Sequence, residues 1–431
     1  MKFVARITDS ISVFQAARYV AGLAVLLILL RFAAVHAEES PISADSSRAT
    51  EAPVDIDVST PGKEGLGIGP LLGLTEFVLK KKPPVYSILI SRNGKLVYEM
   101  YTSGLTREHA HYLMSITKSF TSTLVGIAID QGLIKGLDEP VSDLFPPEAF
   151  PSATRRTEFQ KISLRNVLSM SALDAVVPPH SRSQEAAERN RLFHEVENRS
   201  VFALEQKIIA RPGEDFQYQD ITPALATGAL FYATGKRPFE FAQDALMTPL
   251  NFKNAEWMHR DPTGIDLGSY GLRLRPVDMQ KLGMIYVNQG KYRGKQVVSK
   301  KWVDQTLQAQ VKTSPQKTEK NYGNYFWHSW DAPKFKGILA VGWRGQRIAI
   351  YPESGVVVSM TGWHSDADEE KFFSTVIQDY VIKAFYNPET SNPESEARLL
   401  RLLEQVNKEV NVIRHEPDEE RMVPSIDPLE D

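Results

Sequence analysis

The chain has 431 residues, a formal net charge of −3, 42% hydrophobic and 24% charged residues, and no cysteine. Such a composition can bury a large core and supplies no global basic field for nucleic acid or anionic membrane. The missing thiols exclude disulfides, cysteine nucleophiles, iron–sulfur clusters and thiolate zinc sites, and fit an oxidising compartment.

At the N-terminus, Lys2, Arg6 and Arg18 precede an apolar run from Ala21 to Leu30, and Val35-His36-Ala37 offers small residues at the two positions a signal peptidase reads. This layout predicts a secretory signal peptide of bacterial type over residues 1–37, hence an exported protein of the periplasm or the medium. The alternative is an uncleaved membrane anchor. Against it, the run falls short of the ~20 residues of a bilayer span and Arg31 interrupts it. Residues 38–70 are rich in Ser, Pro, Asp, Glu and Gly without periodicity and read as a flexible linker, so the folded domain is expected over 71–386.

Within that domain, residues 85–91 and 95–101 are strand-like and flank Arg92-Asn93-Gly94, a hairpin signal. A helix is predicted from Ser115 to Gln131, with Gly132 suited to its C-terminal end. From there to about residue 260 the pattern is helix and loop. Strands return at 336–341, 346–351 and 355–361, and a helix over 368–386 closes the domain. Strands from both chain ends must then share one antiparallel sheet flanked by helices, with a mostly helical region inserted between them, which is an α+β class. Residues 387–431 contain an amphipathic helix at 394–411, with Leu399, Leu402, Leu403, Val406 and Val410 on one face, and an acidic end that reads as disordered. The apolar face is expected to pack on the parent domain; a dimer contact is the alternative.

Ser115-Ile116-Thr117-Lys118 is an S-x-x-K sequence opening the apolar helix. Residues i and i+3 share a helix face, so the lysine amine can reach the serine hydroxyl. The helix dipole favours negative charge on the serine oxygen and is expected to lower the amine's pKa toward that of a base. Taken alone, the same residues are equally a capping serine and a solvated lysine. A second match, Ser314-Pro315-Gln316-Lys317, lies in a polar loop. Tyr218-Gln219-Asp220 places a tyrosine, able to shuttle a proton, at a loop-to-helix junction. Tyr286-Val287-Asn288 and Tyr322-Gly323-Asn324 share its pattern, but Tyr286 reads as core. Gly342-Trp343-Arg344-Gly345-Gln346 is expected to open a strand, where glycine allows close approach and a backbone amide could join that of Ser115 in an oxyanion hole. By itself it is also an ordinary strand start.

These three elements in this order resemble the serine β-lactamase-like family of class C β-lactamases, penicillin-binding DD-peptidases, esterases and 6-aminohexanoate-dimer hydrolases. The stretches Ile162–Ser171, Arg211-Pro212-Gly213, Gly271-Leu272-Arg273 to Asp278, Gly290–Lys295, Val298–Val303 and Tyr322–Trp327 extend the resemblance over residues 71–386. It implies that Ser115 is the acylated nucleophile, Lys118 its base, Tyr218 the proton relay and the Gln346 amide the second oxyanion donor, with no cofactor and no metal. Two departures from the β-lactamases and DD-peptidases stand out. Trp343-Arg344-Gly345 replaces Lys-Thr-Gly, with the Arg344 side chain expected on the opposite face of the strand, and Asp220 replaces Asn. As substrate-binding residues, Asp220, Trp343, Arg344 and Gly345 suit a neutral or cationic small-molecule ester or amide. The alternatives are β-lactamase or DD-peptidase activity, or an inactive binding protein of this fold.

Other features carry less. His109 and His111 would share a face on a strand but have no third ligand at a metal-site spacing, and read as loop histidines. Trp327, His328 and Trp330 either line the cleft or pack in the core. The basic run Lys291–Lys295 reads as a solvated turn rather than a nucleic-acid patch. Oligomeric state is left open.

Overall fold

Two strand-forming segments from opposite ends of the chain pair directly. In the computed structural model, which describes residues 55–174, 184–313, 321–388 and 392–412, β1 (Val85–Arg92) and β2 (Lys95–Tyr101) form the predicted hairpin. Asn93 and Gly94 are both left-handed (φ 53° and 77°), as its two-residue turn requires. The remaining strands of the main sheet are β3 (Val311–Lys312), β4 (Asn321–Gly323), β5 (Phe326–Trp330), β6 (Lys336–Gly342), β7 (Gln346–Tyr351) and β8 (Val356–Gly362). Their order is β2-β1-β8-β7-β6-β5-β4-β3. The first strand thus lies against the last, with Ile88 opposite Met360 and Ile90 opposite Val358.

Side chains alternate across this sheet and bury both faces. Leu89, Ile348, Ile350 and Val357 face one core, which contains helices α1 (Ile116–Asp130), α2 (Thr222–Thr234) and α3 (Pro276–Val287). Gly283 lets α3 approach the sheet so closely that a Cβ there would collide with Val357. Ile88, Ile90, Val358 and Met360 face the other core, packed by the helices at Ile68–Lys81, Glu369–Tyr386 and Pro393–Glu409. Helices therefore cover both sheet faces, in the expected α+β arrangement. Among the described residues no helix is long and apolar enough to cross a membrane. The segment read as a signal peptide, the acidic end and Ser314-Pro315-Gln316-Lys317 lie outside the described residues.

The linker expectation over 38–70 is corrected from residue 55 onward. Ile56 and Leu66 are buried in the cores, and Val58 bridges to Leu96 beside β2. Isolated apolar residues in a Gly- and Pro-rich segment carry no periodicity, so this strap leaves no secondary-structure signature. The C-terminal helix is part of the domain: Leu399, Val406 and Val410 are buried, and the amide of Ser103 donates to the Val410 carbonyl at 2.9 Å.

Asp55 anchors the strap to α3. Arg275 and Lys281 are fully buried, and both donate to Asp278 (2.7–2.9 Å) and to Asp55 (3.1 and 2.7 Å). Burial alone would raise the Asp55 carboxyl, but the hydrogen bonds and charges of Lys281 and Arg275 outweigh it and hold it below its ordinary 3.8. Its stabilisation is present above that value and lost as pH falls through the lower folded one. Asp55→Ala is expected to destabilise the fold by about 3 kcal/mol, the low end for breaking a buried pair because Glu108 still faces Arg275. Urea unfolding at pH 7 and at pH 3 measures this, and the gap between variant and parent should narrow at the lower pH.

Candidate active site

The helix α1 is buried from Ile116 to Ala128, so its first turn is held rigidly from all sides. The preceding turn is strained: Met114 is left-handed (φ 51°), which costs a non-glycine residue about 1–3 kcal/mol and persists only where surroundings dictate it. Here the Thr117 hydroxyl donates to the Met114 carbonyl at 2.8 Å, and the Leu113 amide donates to the Leu272 carbonyl at 2.9 Å. The result puts Ser115 at the helix N-cap, yet its side chain makes no capping bond. Instead its Oγ lies 2.8 Å from Lys118 Nζ. Neither residue plays the capping or solvated role: Lys118 is 1% exposed.

The amine also donates to Asp220 Oδ1 at 2.7 Å and to the Ser269 carbonyl at 3.1 Å. Both can only accept. A neutral amine with two hydrogens spent on these acceptors presents its lone pair to Ser115; an ammonium donates its third hydrogen there. Ser269 has no sequence signal because it acts through its backbone. It is brought in by the pairing of His111–Tyr112 with Leu272–Leu274.

The amine's pKa departs from the expected direction. Burial pulls it down, but Asp220, by its charge, and then Tyr218, each also by a hydrogen bond, outweigh burial, and the net shift is upward. The dipole argument omitted a carboxylate that only the fold brings within ion-pair distance.

Tyr218 is carried on a clamped segment. The Gln217 amide donates to the Met170 carbonyl and the Gln219 side chain to the Leu173 carbonyl, at 2.9 and 2.8 Å. The Tyr218 ring lies 4.9 Å from Lys118 Nζ and forms an aromatic wall with Trp327 (5.6 Å) and Tyr322 (6.2 Å). Tyr286 is core, bonded to the Thr123 hydroxyl at 2.8 Å. Of the residues with alternative readings, Trp327 therefore joins the wall. Burial, then Lys336, pulls the neighbouring His328 down to about 4. The Trp330 side chain lies outside the described residues.

The third element differs from expectation. Trp343-Arg344-Gly345 does not open a strand but forms the tight connection between β6 and β7, with Arg344 and Gly345 left-handed (φ 65° and 95°). Arg344 consequently does not oppose Trp343: its guanidinium stacks on the Trp343 indole at 4.3 Å, and Asp366 accepts from Trp343 Nε1 at 2.7 Å. Gln346 is buried in β7, register-paired with Gly342, and its side-chain amide donates to the Gly362 carbonyl. The residue of this motif that touches the turn before Ser115 is Gly342, where a Cβ would collide with the Leu113 carbonyl and crowd Met114. Arg347 Nη1 donates to the Gly342 carbonyl at 2.7 Å, and Arg347 lies by Phe373, in the core opposite α1. A trans peptide points its carbonyl and the next amide in opposite directions, so the Trp343 N–H is directed toward the α1 side.

A further pair was invisible in sequence. The Tyr270 hydroxyl lies 2.8 Å from His194 Nε2, one residue beyond Ser269. Burial, then Arg199, pulls His194 down to about 4, and burial, then the Asp220 charge, pushes Tyr270 up. His194 sits in the inserted helices, which carry no chemical signature. His109 accepts from the Thr106 amide, and buried His111 stacks on Tyr86 at 5.5 Å. Among the described residues no group of His, Asp or Glu is placed to hold a metal.

Known proteins resemble this chain in sequence and in fold. A family model described as Beta-lactamase matches residues 75–372. The chain is 24% identical over 289 residues to the 6-aminohexanoate-dimer hydrolase of Paenarthrobacter ureafaciens, covering 64% of this chain and 72% of that protein. The fold is shared with EstCE1, a hydrolase with promiscuous acyltransferase activity (TM-score 0.60, 15% identity, 75% of this chain and 99% of that one). It is shared too with an octameric penicillin-binding protein homologue from Pyrococcus abyssi (TM-score 0.55, 19% identity, 74% and 78%).

Gly342→Ala tests the close approach. The added methyl must push β6 off the nucleophile turn, and labelling of Ser115 by a serine-directed fluorophosphonate should slow by about 10²-fold. Circular dichroism should show the fold unchanged.

Proposed function

The chain belongs to the beta-lactamase family, and we propose that it is a serine hydrolase cleaving carboxylic ester or amide bonds through an acyl-enzyme on Ser115. The observation that carries this reading is the 2.8 Å contact between Ser115 Oγ and a buried amine that also donates to Asp220 and to the Ser269 carbonyl. In its neutral form Lys118 takes the hydroxyl proton as Oγ attacks the carbonyl carbon. Tyr218, above the amine, relays that proton to the departing alcohol or amine, and water then releases the acyl group by the same route in reverse. The Ser115 amide, at a helix N-terminus, and the Trp343 amide, in place of that of Gln346, serve the oxyanion. Base catalysis of this kind contributes ~10²–10⁴ in rate and one oxyanion donor ~10²–10³.

The electrostatics favour neutral or cationic substrates. The residues of β6 on the face toward α1 are Ile338, Ala340 and Gly342, none of them a cation. Arg344 lies near Asp366 (3.6 Å), and Lys118 is paired with Asp220. Neither cation is left to attract a substrate carboxylate, while Asp220 is 46% exposed. The likeness to a 6-aminohexanoate-dimer hydrolase supports the same branch. The basic and apolar residues between Lys2 and Ala37 support an exported protein.

Intact-mass spectrometry of the protein and of Ser115→Ala, each incubated with p-nitrophenyl acetate, p-nitrophenyl butyrate and a penicillin, tests the reading. Turnover or an acyl adduct with the esters is expected, with kcat/KM lost by roughly 10⁴-fold or more in the alanine variant. A stable adduct with penicillin alone would move the protein to the penicillin-binding branch, and inertness toward all three would leave a binding protein.

A further inference from the structure

In Tyr218-Gln219-Asp220 the third residue is a carboxylate, and it contacts the activating amine rather than solvent alone. Besides Ser115, Lys118 Nζ donates to an Asp220 oxygen and to the Ser269 carbonyl. We propose that Asp220 is a positioning residue that sets the pH range of the nucleophile: with the Ser269 carbonyl it aims the amine's lone pair at Ser115, and by its charge it holds the amine in the ammonium form until the medium is alkaline. This inference rests on the reading of Ser115 as the nucleophile.

Of the groups around the carboxylate, Lys118 is the one it pairs with directly. Lys118, from α1, is its ion-pair partner. Tyr218 shares its loop and faces the same amine. Tyr270 and Tyr322 feel its charge, and burial pushes both upward. His194 is pulled down by burial and by Arg199, so it is neutral wherever an alkaline limb would appear. Arg199 is buried, and its amide donates to Asp261 at 3.0 Å. An asparagine at 220 would still offer an oxygen to the amine while removing the charge.

The test is the pH dependence of the inactivation rate by a fluorophosphonate, on the full chain, with the labelled residue identified by mass spectrometry. The parent rate should rise along an alkaline limb. Asp220→Asn should displace that limb by about one unit toward acid, the lower part of the ~1–3 units an adjacent opposite charge contributes, because the carboxylate is half exposed. Below the limb it should therefore react faster than the parent. Asp220→Ser, also neutral and also an acceptor, should shift the limb in the same direction, which keeps the test available if the asparagine variant misfolds. Asp220→Glu should return the limb toward the parent position. Superimposable limbs for the parent and the neutral variants, with labelling still at Ser115, would overturn the role of Asp220 and leave the nucleophile intact. Labelling that persists in Ser115→Ala would overturn the nucleophile and this inference with it.

Discussion

A buried ammonium is the constraint on which the site depends. Lys118 is removed from water almost completely, and such a charge is tolerated only when its donors are met. Its three acceptors come from three parts of the chain: Ser115 from the same helix, Asp220 from the edge of the helical insertion, and Ser269 from the segment leading into a small sheet. The insertion and the sheet core must therefore close on one atom. Satisfying that atom and holding it against the Ser115 hydroxyl are the same structural event.

The backbone around the amine is strained for a related reason. Met114 is left-handed just before Ser115, and Arg344 is left-handed in the turn opposite. Neither is glycine, so the surroundings must impose both conformations. For Met114 these are the Thr117 hydroxyl and the pairing of Leu113 with Leu272; for Arg344 they are Trp343, Trp363 and the His364 backbone. Between them Gly342 permits the two chains to touch. A second buried charge cluster, Arg275–Lys281–Asp278–Asp55, does not include Ser115 or Lys118 and serves stability by tying the strap at 55–67 to α3.

Several features of this arrangement were legible in the residues. The Asn93-Gly94 hairpin, the helix opening at Ser115 and the three closing strands follow from turn chemistry and period, and each lies within a residue or two of its expected bounds. The i, i+3 spacing of Ser115 and Lys118 predicted their contact, because a helix makes that geometry local. The strap at 55–67 was not legible, since single buried residues such as Ile56 make no pattern. The shape of 343–345 was not legible either, since a glycine-containing stretch serves a strand start and a tight turn equally well.

What the sequence determined alone is what depends on near neighbours: the elements, their periods, the α+β class and the serine–lysine pair on one helix turn. The tertiary structure decided what depends on groups distant along the chain. It placed Asp220, 102 residues from Lys118, against the amine and so reversed the expected direction of its pKa. It brought in the Ser269 carbonyl, which no side chain announces, and it put Gly342, rather than Gln346, against the Leu113–Met114 turn. Electrostatic energy varies with distance in space, and only the fold converts separation in sequence into that distance.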